Sequence, residues 1–209
     1  MARNMNQQND LYYCEEVLKL LKTLEQNKSR RVAMKTELEE QLKKTRNFHA
    51  LFIGLIFALV VGALFLAFGM SIAAIIGGII ALFAGASVYF LLWNKASAGG
   101  MQEKAKNKLL KETSQERMKL VEDSKRVLDD ELIKNSDIPD AYLTIRVVSM
   151  LVRNLKSNQA DSIKTGLAML ELDLNNGKNH YYQQMLSQSE SLIESEKKYV
   201  ETFDASVFE

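Results

Sequence analysis

The sequence predicts an all-α membrane protein, in which a two-helix transmembrane hairpin is joined to long cytoplasmic helices that are partly coiled-coil-like. Three observations predict this fold class. The stretch from Ala50 to Trp93 contains no Asp, Glu, Lys or Arg, apolar residues recur at helical spacing on both sides of it, and the 209 residues contain only one proline, Pro139. The chain therefore divides into four segments: 1–49, 50–93, 94–135 and 136–209.

The apolar stretch predicts two membrane crossings. A helix needs about 20 apolar residues to span the hydrocarbon core of a bilayer, and residues 50–93 provide about twice that number. Gly69 favours a helix end and Ser71 a helix start, so we expect helices at 50–68 and 72–93. The short connection makes them antiparallel neighbours. The alternatives, one very long buried helix or two core helices of a soluble protein, would need a large protein surface around every face.

The residues that flank the apolar stretch predict its orientation. Both flanks are basic, with Lys43, Lys44 and Arg46 before it and Lys95, Lys104, Lys106 and Lys108 after it. Because Lys and Arg are retained on the cytoplasmic side, we expect a multi-pass protein of the cell membrane with both termini cytoplasmic. Tyr89 and Trp93 stand at the exit of the second helix, at the level that aromatic rings prefer, and His49 stands at the matching level of the first.

Small residues recur every four positions in both apolar helices. The first helix carries Gly54, Ala58 and Gly62, and the second carries Ala73, Gly77, Ala81 and Gly85. This spacing places each set on one ridge, where small side chains allow a neighbouring backbone to approach closely. The neighbour is either the other helix or another copy of the chain. Alternatively, the small residues reflect only the usual composition of membrane helices.

The charge of the chain is unevenly distributed. Residues 1–49 carry ten basic and seven acidic side chains, residues 95–135 carry ten and eight, and residues 136–209 carry seven and eleven. The two segments next to the apolar stretch are thus mildly basic, which suits a leaflet that contains anionic lipids. No cluster is dense enough in the sequence to indicate specific lipid recognition, and none indicates nucleic-acid binding.

Two long polar helices are expected next to the membrane, one on each side of the apolar stretch. The first runs over Asp10–Asn47 with Asp10 as its N-cap, and the second runs from Met101 to about Lys134. The second contains a coiled-coil-like spacing at Met118, Val121, Lys125, Leu128 and Leu132, in which Lys125 interrupts the apolar seam. We expect the apolar stripes of the two helices to pack on each other or on copies of themselves.

Shorter amphipathic helices are expected after Pro139. The apolar spacing predicts one helix from Tyr142 to Leu155, a second over Ala160–Asn175, and a last helix over Asn179–Phe203. In the last helix Ser189 and Glu196 interrupt the apolar seam. Residues 136–209 therefore form a helical cytoplasmic segment.

Three short stretches of this segment carry a resemblance. They are IleProAspAlaTyr at 138–142, AsnGlnAlaAspSerIleLys at 158–164 and the acidic GluLeuAsp at 171–173. Together they resemble a segment of uncharacterised bacterial helical membrane proteins, although Gln159 stands where an Arg is common. The resemblance implies a bacterial helical membrane protein, and it carries no known activity that could be transferred to this chain. It makes Pro139, Tyr142 and Asp161 a candidate interaction motif. Alternatively, Tyr142 packs over a proline turn and Asp161 lies near a helix N-terminus.

The sequence contains no recognisable set of catalytic or metal-ligating residues. His49 and His180, the only histidines, fall on different elements, Cys14 is the only cysteine, and no glycine-rich phosphate loop is present. We therefore expect no enzyme activity, cofactor or metal. The apolar helices lack the ionisable residues of transporters and pumps.

The function that we expect is that of a membrane anchor or scaffold. Its partners would be the lipid bilayer and either further copies of the chain or an unidentified membrane or cytoplasmic protein, and not nucleic acid. The alternative is a pore-forming or membrane-permeabilising oligomer of the hairpin, which the absence of intramembrane charges does not exclude.

Overall fold

A computed structural model describes residues 5–69, 71–93, 100–175 and 192–203. Over these residues the regular structure is helical throughout. The helices are α1 (Met5–Ala67), α2 (Ser71–Trp93), α3 (Met101–Glu112), α4 (Ser114–Leu128), α5 (Glu131–Lys134), a 3-10 turn (Asp140–Tyr142), α6 (Ile145–Lys156), α7 (Ile163–Asn175) and α8 (Leu192–Thr202).

Helix α1 joins the predicted polar helix and the first predicted apolar helix into one element of 63 residues. The change at residues 49 and 50 is therefore a change of composition and not of secondary structure. The helix ends where Gly69 adopts a φ of 72° and donates its N–H to the carbonyl of Leu66 at 2.9 Å. Glycine suits this left-handed conformation because it has no Cβ. Helix α2 begins at Ser71 itself, one residue earlier than predicted.

The long helix predicted from Met101 to Lys134 is wrong, because three helices occupy that range. At the first break, the Thr113 hydroxyl donates to the Leu109 carbonyl at 3.0 Å, and the Ser114 hydroxyl donates to the Lys111 carbonyl at 2.8 Å. At the second break, the Asp130 carboxylate accepts the N–H of Leu132 at 3.0 Å and caps α5. Short polar side chains that bond to nearby backbone groups thus compete with a continuous helix.

The described residues divide into two compact units. The first unit contains residues 5–31, 116–175 and 192–203, and the second contains residues 32–69, 71–93 and 100–115.

The first unit buries a hydrophobic core. The residues of α1 that line it recur at helical spacing, and they pack with residues of the C-terminal helices. These core residues are Leu11, Cys14, Val17, Leu21 and Leu24 of α1, with Val127, Leu128, Ile133, Ile138, Leu143, Val147, Val148, Leu151, Val152, Leu155, Ala160, Ile163, Leu170 and Ile193. The apolar stripe of α1 therefore shares one core with α4 and the helices that follow.

The buried face of α4 differs from the predicted coiled-coil seam. Met118 is 43% exposed and Lys125 is exposed, whereas Ser124, Val127 and Leu128 are buried. The helix is rotated so that the Ser124 hydroxyl accepts a hydrogen bond from the Asn27 amide of α1 at 3.2 Å. This rotation leaves the charge of Lys125 in solvent, which the predicted seam would have buried.

The helices after Pro139 are close to the predicted ones, but their starts differ. Tyr142 lies in the 3-10 turn, and α6 begins after Thr144, whose hydroxyl accepts the N–H of Val147 at 3.3 Å. Helix α7 begins at Ile163 rather than Ala160. The described part of the last predicted helix is α8, Leu192–Thr202. Its predicted start, with Ser189 and His180, lies outside the described residues.

The second unit contains two helices that are long and apolar enough to cross a membrane, α1 through its C-terminal part and α2. Within the apolar stretch of 18 residues in each helix, only 11% is buried in α1 and only 17% in α2. The side chains that point outwards are large and apolar, including Leu51, Phe52, Leu59, Leu64, Ile75, Ile80, Phe83 and Leu91.

Candidate interaction surfaces

Small residues let α1 and α2 approach closely within the second unit. A Cβ added to Gly54 would lie 2.6 Å from the Leu82 carbonyl oxygen, and one added to Gly85 would lie 3.1 Å from Phe57. A Cβ on Gly77 would lie 2.6 Å from the Phe65 ring. The contacts pair early residues of one helix with late residues of the other.

The other small residues contribute unequally to this contact. A Cβ on Gly62 would lie 3.9 Å from the Ala74 carbonyl oxygen. Ala81 is buried and Ala58 is half-buried, and the carbonyl oxygen of Ala58 would lie 3.6 Å from a Cβ on Gly78. Ala73, which the spacing selects, is half-buried, whereas its neighbour Ala74 is buried at 7% exposure. The ridge of α2 that faces α1 is thus Ala74, Gly78, Ala81, Leu82 and Gly85, with Gly77 beside it.

Aromatic residues gather at one end of the apolar helices. Tyr89 and Trp93 of α2 are buried together with Ala50 of α1. The rings of Tyr89 and Trp93 are 5.9 Å apart, and the His49 ring meets the Tyr89 ring edge-on at 6.2 Å. The three ring residues selected from the sequence for their matching levels therefore lie together. The Arg46 guanidinium lies 4.9 Å from the centre of the Phe90 ring in the same region.

A buried ion pair holds α8 in the first unit. The Arg31 guanidinium binds the carboxylate of Glu196, and the two side chains are only 9% and 1% exposed. Arg31 also lies 4.1 Å from the centre of the Tyr199 ring and donates to the Ser124 hydroxyl at 3.3 Å. Among the described residues, the second carboxylate oxygen of Glu196 has no hydrogen-bond partner. Arg31 thus compensates the charge of Glu196, a residue that the sequence pattern indicated only as an interruption of an apolar seam.

The segments of the candidate interaction motif surround an open groove in the first unit. This groove has a volume of about 560 Å³ and is lined by Pro139, Ser162, Ile163, Lys164, Leu167, Ala168 and Glu171, with Asp10 and Asp137. Its lining combines four apolar residues with three carboxylates and one ammonium group.

The three residues selected as a candidate motif have different surroundings. Pro139 is exposed and lines the groove. The Tyr142 hydroxyl donates to the Glu171 carboxylate at 3.4 Å, and burial, followed by the charge of Glu171, raises the pKa of Tyr142. Asp161 is exposed and lies two residues before the start of α7. Asp10 accepts the N–H of Ile163 at 2.9 Å, so the predicted N-cap of the first helix caps a different helix.

Gln7 is a further polar residue that sequence reasoning missed. It is buried, and its amide nitrogen lies 3.2 Å from the Leu155 carbonyl oxygen and 3.0 Å from that of Ala160. It also lies 3.1 Å from the side-chain oxygen of Asn158, which has a φ of 57°. Gln7 therefore fixes the turn between α6 and α7. In the sequence, Gln7 could have been identified only as a polar residue that continues the helical spacing of the buried apolar residues of α1.

Within the described ranges, no group of three or more His, Cys, Asp or Glu side chains could hold a metal ion. Cys14 is fully buried, and burial, followed by the charge of Asp10, raises the pKa of its thiol to about 12. No family model, no curated protein and no solved structure matches the chain.

Proposed function

We propose that the chain is a non-enzymatic integral membrane protein. The C-terminal part of α1 and α2 form a transmembrane hairpin, both termini are cytoplasmic, and the first unit is a helical module for self-association or for binding a protein partner. The resemblance of residues 138–173 to bacterial helical membrane proteins is part of this proposal.

One observation carries the membrane assignment. The two apolar helices turn most of their large side chains outwards. Only 11% of the apolar stretch of α1 and 17% of that of α2 is buried. Core helices of a soluble protein would bury these side chains, because exposing each one to water costs about 1.5–3 kcal/mol. A bilayer solvates the same faces without that cost, and helices satisfy their own backbone hydrogen bonds there.

Two measurements test this topology. Alkaline carbonate should fail to extract the full chain from membranes. Single cysteines are then labelled with a membrane-impermeant reagent on a Cys14→Ala background. We expect Met70→Cys to react in intact cells, and Ser29→Cys and Lys119→Cys, at exposed positions, to react only after permeabilisation. Carbonate extraction would contradict the hairpin, and labelling of either cytoplasmic position in intact cells would contradict the orientation.

The groove beside Pro139 supports the role of the first unit in protein binding. An open groove with a mixed apolar and charged lining suits a side chain or short segment of another protein better than a small substrate that needs a closed site. Lys164→Glu and Leu167→Glu change this surface without removing a fully buried residue, since Lys164 is exposed and Leu167 is half-buried.

The corresponding experiment compares oligomeric state and bound proteins between the full chain and these variants. We measure the mass of the particle in mild detergent, with Lys119→Glu as the control at an exposed position of α4. A larger particle that is reduced by the groove variants alone supports the module. A strict monomer with no bound protein contradicts it. Dye release from liposomes tests the alternative, a permeabilising oligomer, and release by the purified chain would replace the scaffold function by that of a pore.

A further inference from the structure

Basic residues from two separate helices meet around the aromatic end of the second unit. Leu42 of α1 and Ala105 of α3 both pack against the cluster of Ala50, Tyr89 and Trp93. The basic residues next to Leu42 and Ala105 therefore lie at the level of this cluster. We call them the basic collar: Lys43, Lys44 and Arg46 of α1, with Lys104, Lys106 and Lys108 of α3.

The collar has a strong excess of positive charge. Residues 40–49 and 101–108 together contain six Lys or Arg and two acidic residues, Glu40 and Glu103. The ion pair between Lys44 and Glu40, at 2.9 Å, joins side chains that are 74% and 62% exposed, and such an exposed pair contributes little energy. The basic residues remain in excess after both acidic residues are counted. In the sequence the two basic flanks are more than fifty residues apart, so neither looks dense.

The surroundings of the collar indicate which anion it meets. All five lysines of the collar are exposed, and Arg46 is held over the Phe90 ring at the edge of the aromatic cluster. Just beyond Ala50, the outward side chains of both helices become apolar. Tyr and Trp next to an apolar face are typical of the headgroup level of a membrane, where the nearest anions are lipid phosphates.

We propose that the basic collar binds the headgroups of anionic phospholipids in the leaflet that it faces. Ammonium and guanidinium groups donate charge-assisted hydrogen bonds to phosphate oxygens. A Lys or Arg near an anionic membrane surface raises the affinity roughly fivefold. This inference rests on the proposed membrane topology, and it adds the class of lipid and the residues that select it.

Trp93 allows a direct test, because it is the only tryptophan and lies in the aromatic cluster. The full chain is reconstituted in phosphatidylcholine vesicles with traces of a pyrene-acyl probe, either phosphatidylglycerol or phosphatidylcholine. We expect energy transfer from Trp93 to indicate a preference for the anionic probe on the order of fivefold at low salt. Salt at 0.5 M should remove most of this preference in the unaltered protein, because it screens exposed charges.

A matched pair of triple variants locates the effect. The triple variant Lys104→Gln, Lys106→Gln and Lys108→Gln removes half of the collar and should lower the preference at least twofold. The control Lys119→Gln, Lys125→Gln and Lys198→Gln removes the same charge from exposed lysines of the first unit and should keep the preference. Helical content measured by circular dichroism confirms that both variants fold.

The outcomes separate this inference from the proposed topology. In one outcome, the unaltered chain resists carbonate extraction and yet shows equal energy transfer from Trp93 to both probes. This result overturns the lipid preference of the collar and leaves the topology intact. An equal loss in both triple variants also overturns it, since net charge and not position would then select the lipid. Extraction of the unaltered chain by carbonate overturns the topology itself, and the collar with it.

Discussion

The two units of the chain place their apolar residues in opposite ways. In the first unit, Val17 and Leu21 of α1 and Leu151 of α6 are 0% exposed. In the second unit, Phe83 and Leu91 of α2 are 67% and 72% exposed, and the buried positions of α2 are mostly small or aromatic. One unit is organised to remove large apolar side chains from water, whereas the other presents them to its surroundings.

This difference indicates that the two units are stabilised by different forces. Burial of large side chains stabilises the first unit through the hydrophobic effect. In the bilayer that we propose around the second unit, that effect does not drive helices together, and this unit would depend on the close approach of backbones at glycines such as Gly54 and Gly85. Substitutions in the two units should therefore follow different rules.

The largest effect is expected at the buried ion pair. Arg31→Met would leave Glu196 as an uncompensated charge with 1% exposure. Removal of one partner of a buried pair typically costs about 3–5 kcal/mol. Urea titration of the chain in mild detergent measures the free energy of unfolding.

The double variant Arg31→Met with Glu196→Leu serves as the control, because it removes both charges and should recover most of the loss. If the single and double variants lose the same free energy, the contact contributes packing and not charge compensation.

The second prediction compares two leucines. Leu151 is fully buried and occupies the space that Gly166 leaves free, since a Cβ on Gly166 would lie 2.6 Å from the Leu151 side chain. Leu151→Ala should lower the free energy of unfolding by about 2–5 kcal/mol. Leu91→Ala, at an exposed position, should change it by about 0.5 kcal/mol or less in the same urea titration. A large loss at Leu91 would show that its face is covered by another part of the protein.

The sequence was sufficient for the all-helical character of the described residues and for the inner faces of most helices. Apolar residues recur at helical spacing along α1 and α6, and Leu21, Leu24 and Leu155 of these stripes are buried, because the spacing of apolar residues along a helix determines its inner face. The spacing of small residues likewise selected Gly54 and Gly85, which lie where the two apolar helices touch.

Periodicity does not indicate which helix covers a stripe, and the errors follow from this limit. Asp10 caps α7, from which it is separated by 153 residues, and not its own helix. Glu196 looked like an interruption because its partner Arg31 is distant in sequence. The break at Thr113 was missed because a hydroxyl that bonds to the backbone has little effect on an apolar pattern.

The third prediction tests close packing in the second unit. Gly54→Ala places a Cβ 2.6 Å from a backbone oxygen of α2, which cannot move aside as a side chain can. The helices must separate, at a cost of about 1–3 kcal/mol. Gly78→Ala is the matched control, because its Cβ would lie at an ordinary 3.6 Å from the Ala58 oxygen. Thermal unfolding in detergent should show a loss for Gly54→Ala only, and equal behaviour of the two variants would exclude a tight contact at Gly54.

The last prediction uses the native thiol of Cys14 as a probe, so that no cysteine has to be introduced into the fold. The thiol is fully buried, and its pKa is raised from 9.0 to about 12. The folded state therefore holds this proton more tightly than the unfolded state. The resulting contribution to stability is complete below about pH 9 and is lost as the pH rises towards 12. Because the thiolate is the reactive form, a thiol reagent at pH 8 should label Cys14 only when the first unit opens.

The rate of this labelling follows the stability of the first unit alone. If Leu151→Ala lowers that stability by about 2 kcal/mol, labelling should accelerate by roughly 30-fold, because 1.4 kcal/mol corresponds to a factor of ten. Gly54→Ala, which acts in the second unit, should leave the rate nearly unchanged while it lowers the thermal stability in detergent. Equal acceleration by both variants would show that the two units unfold together. The different stabilising forces of the two units would then not make them unfold independently.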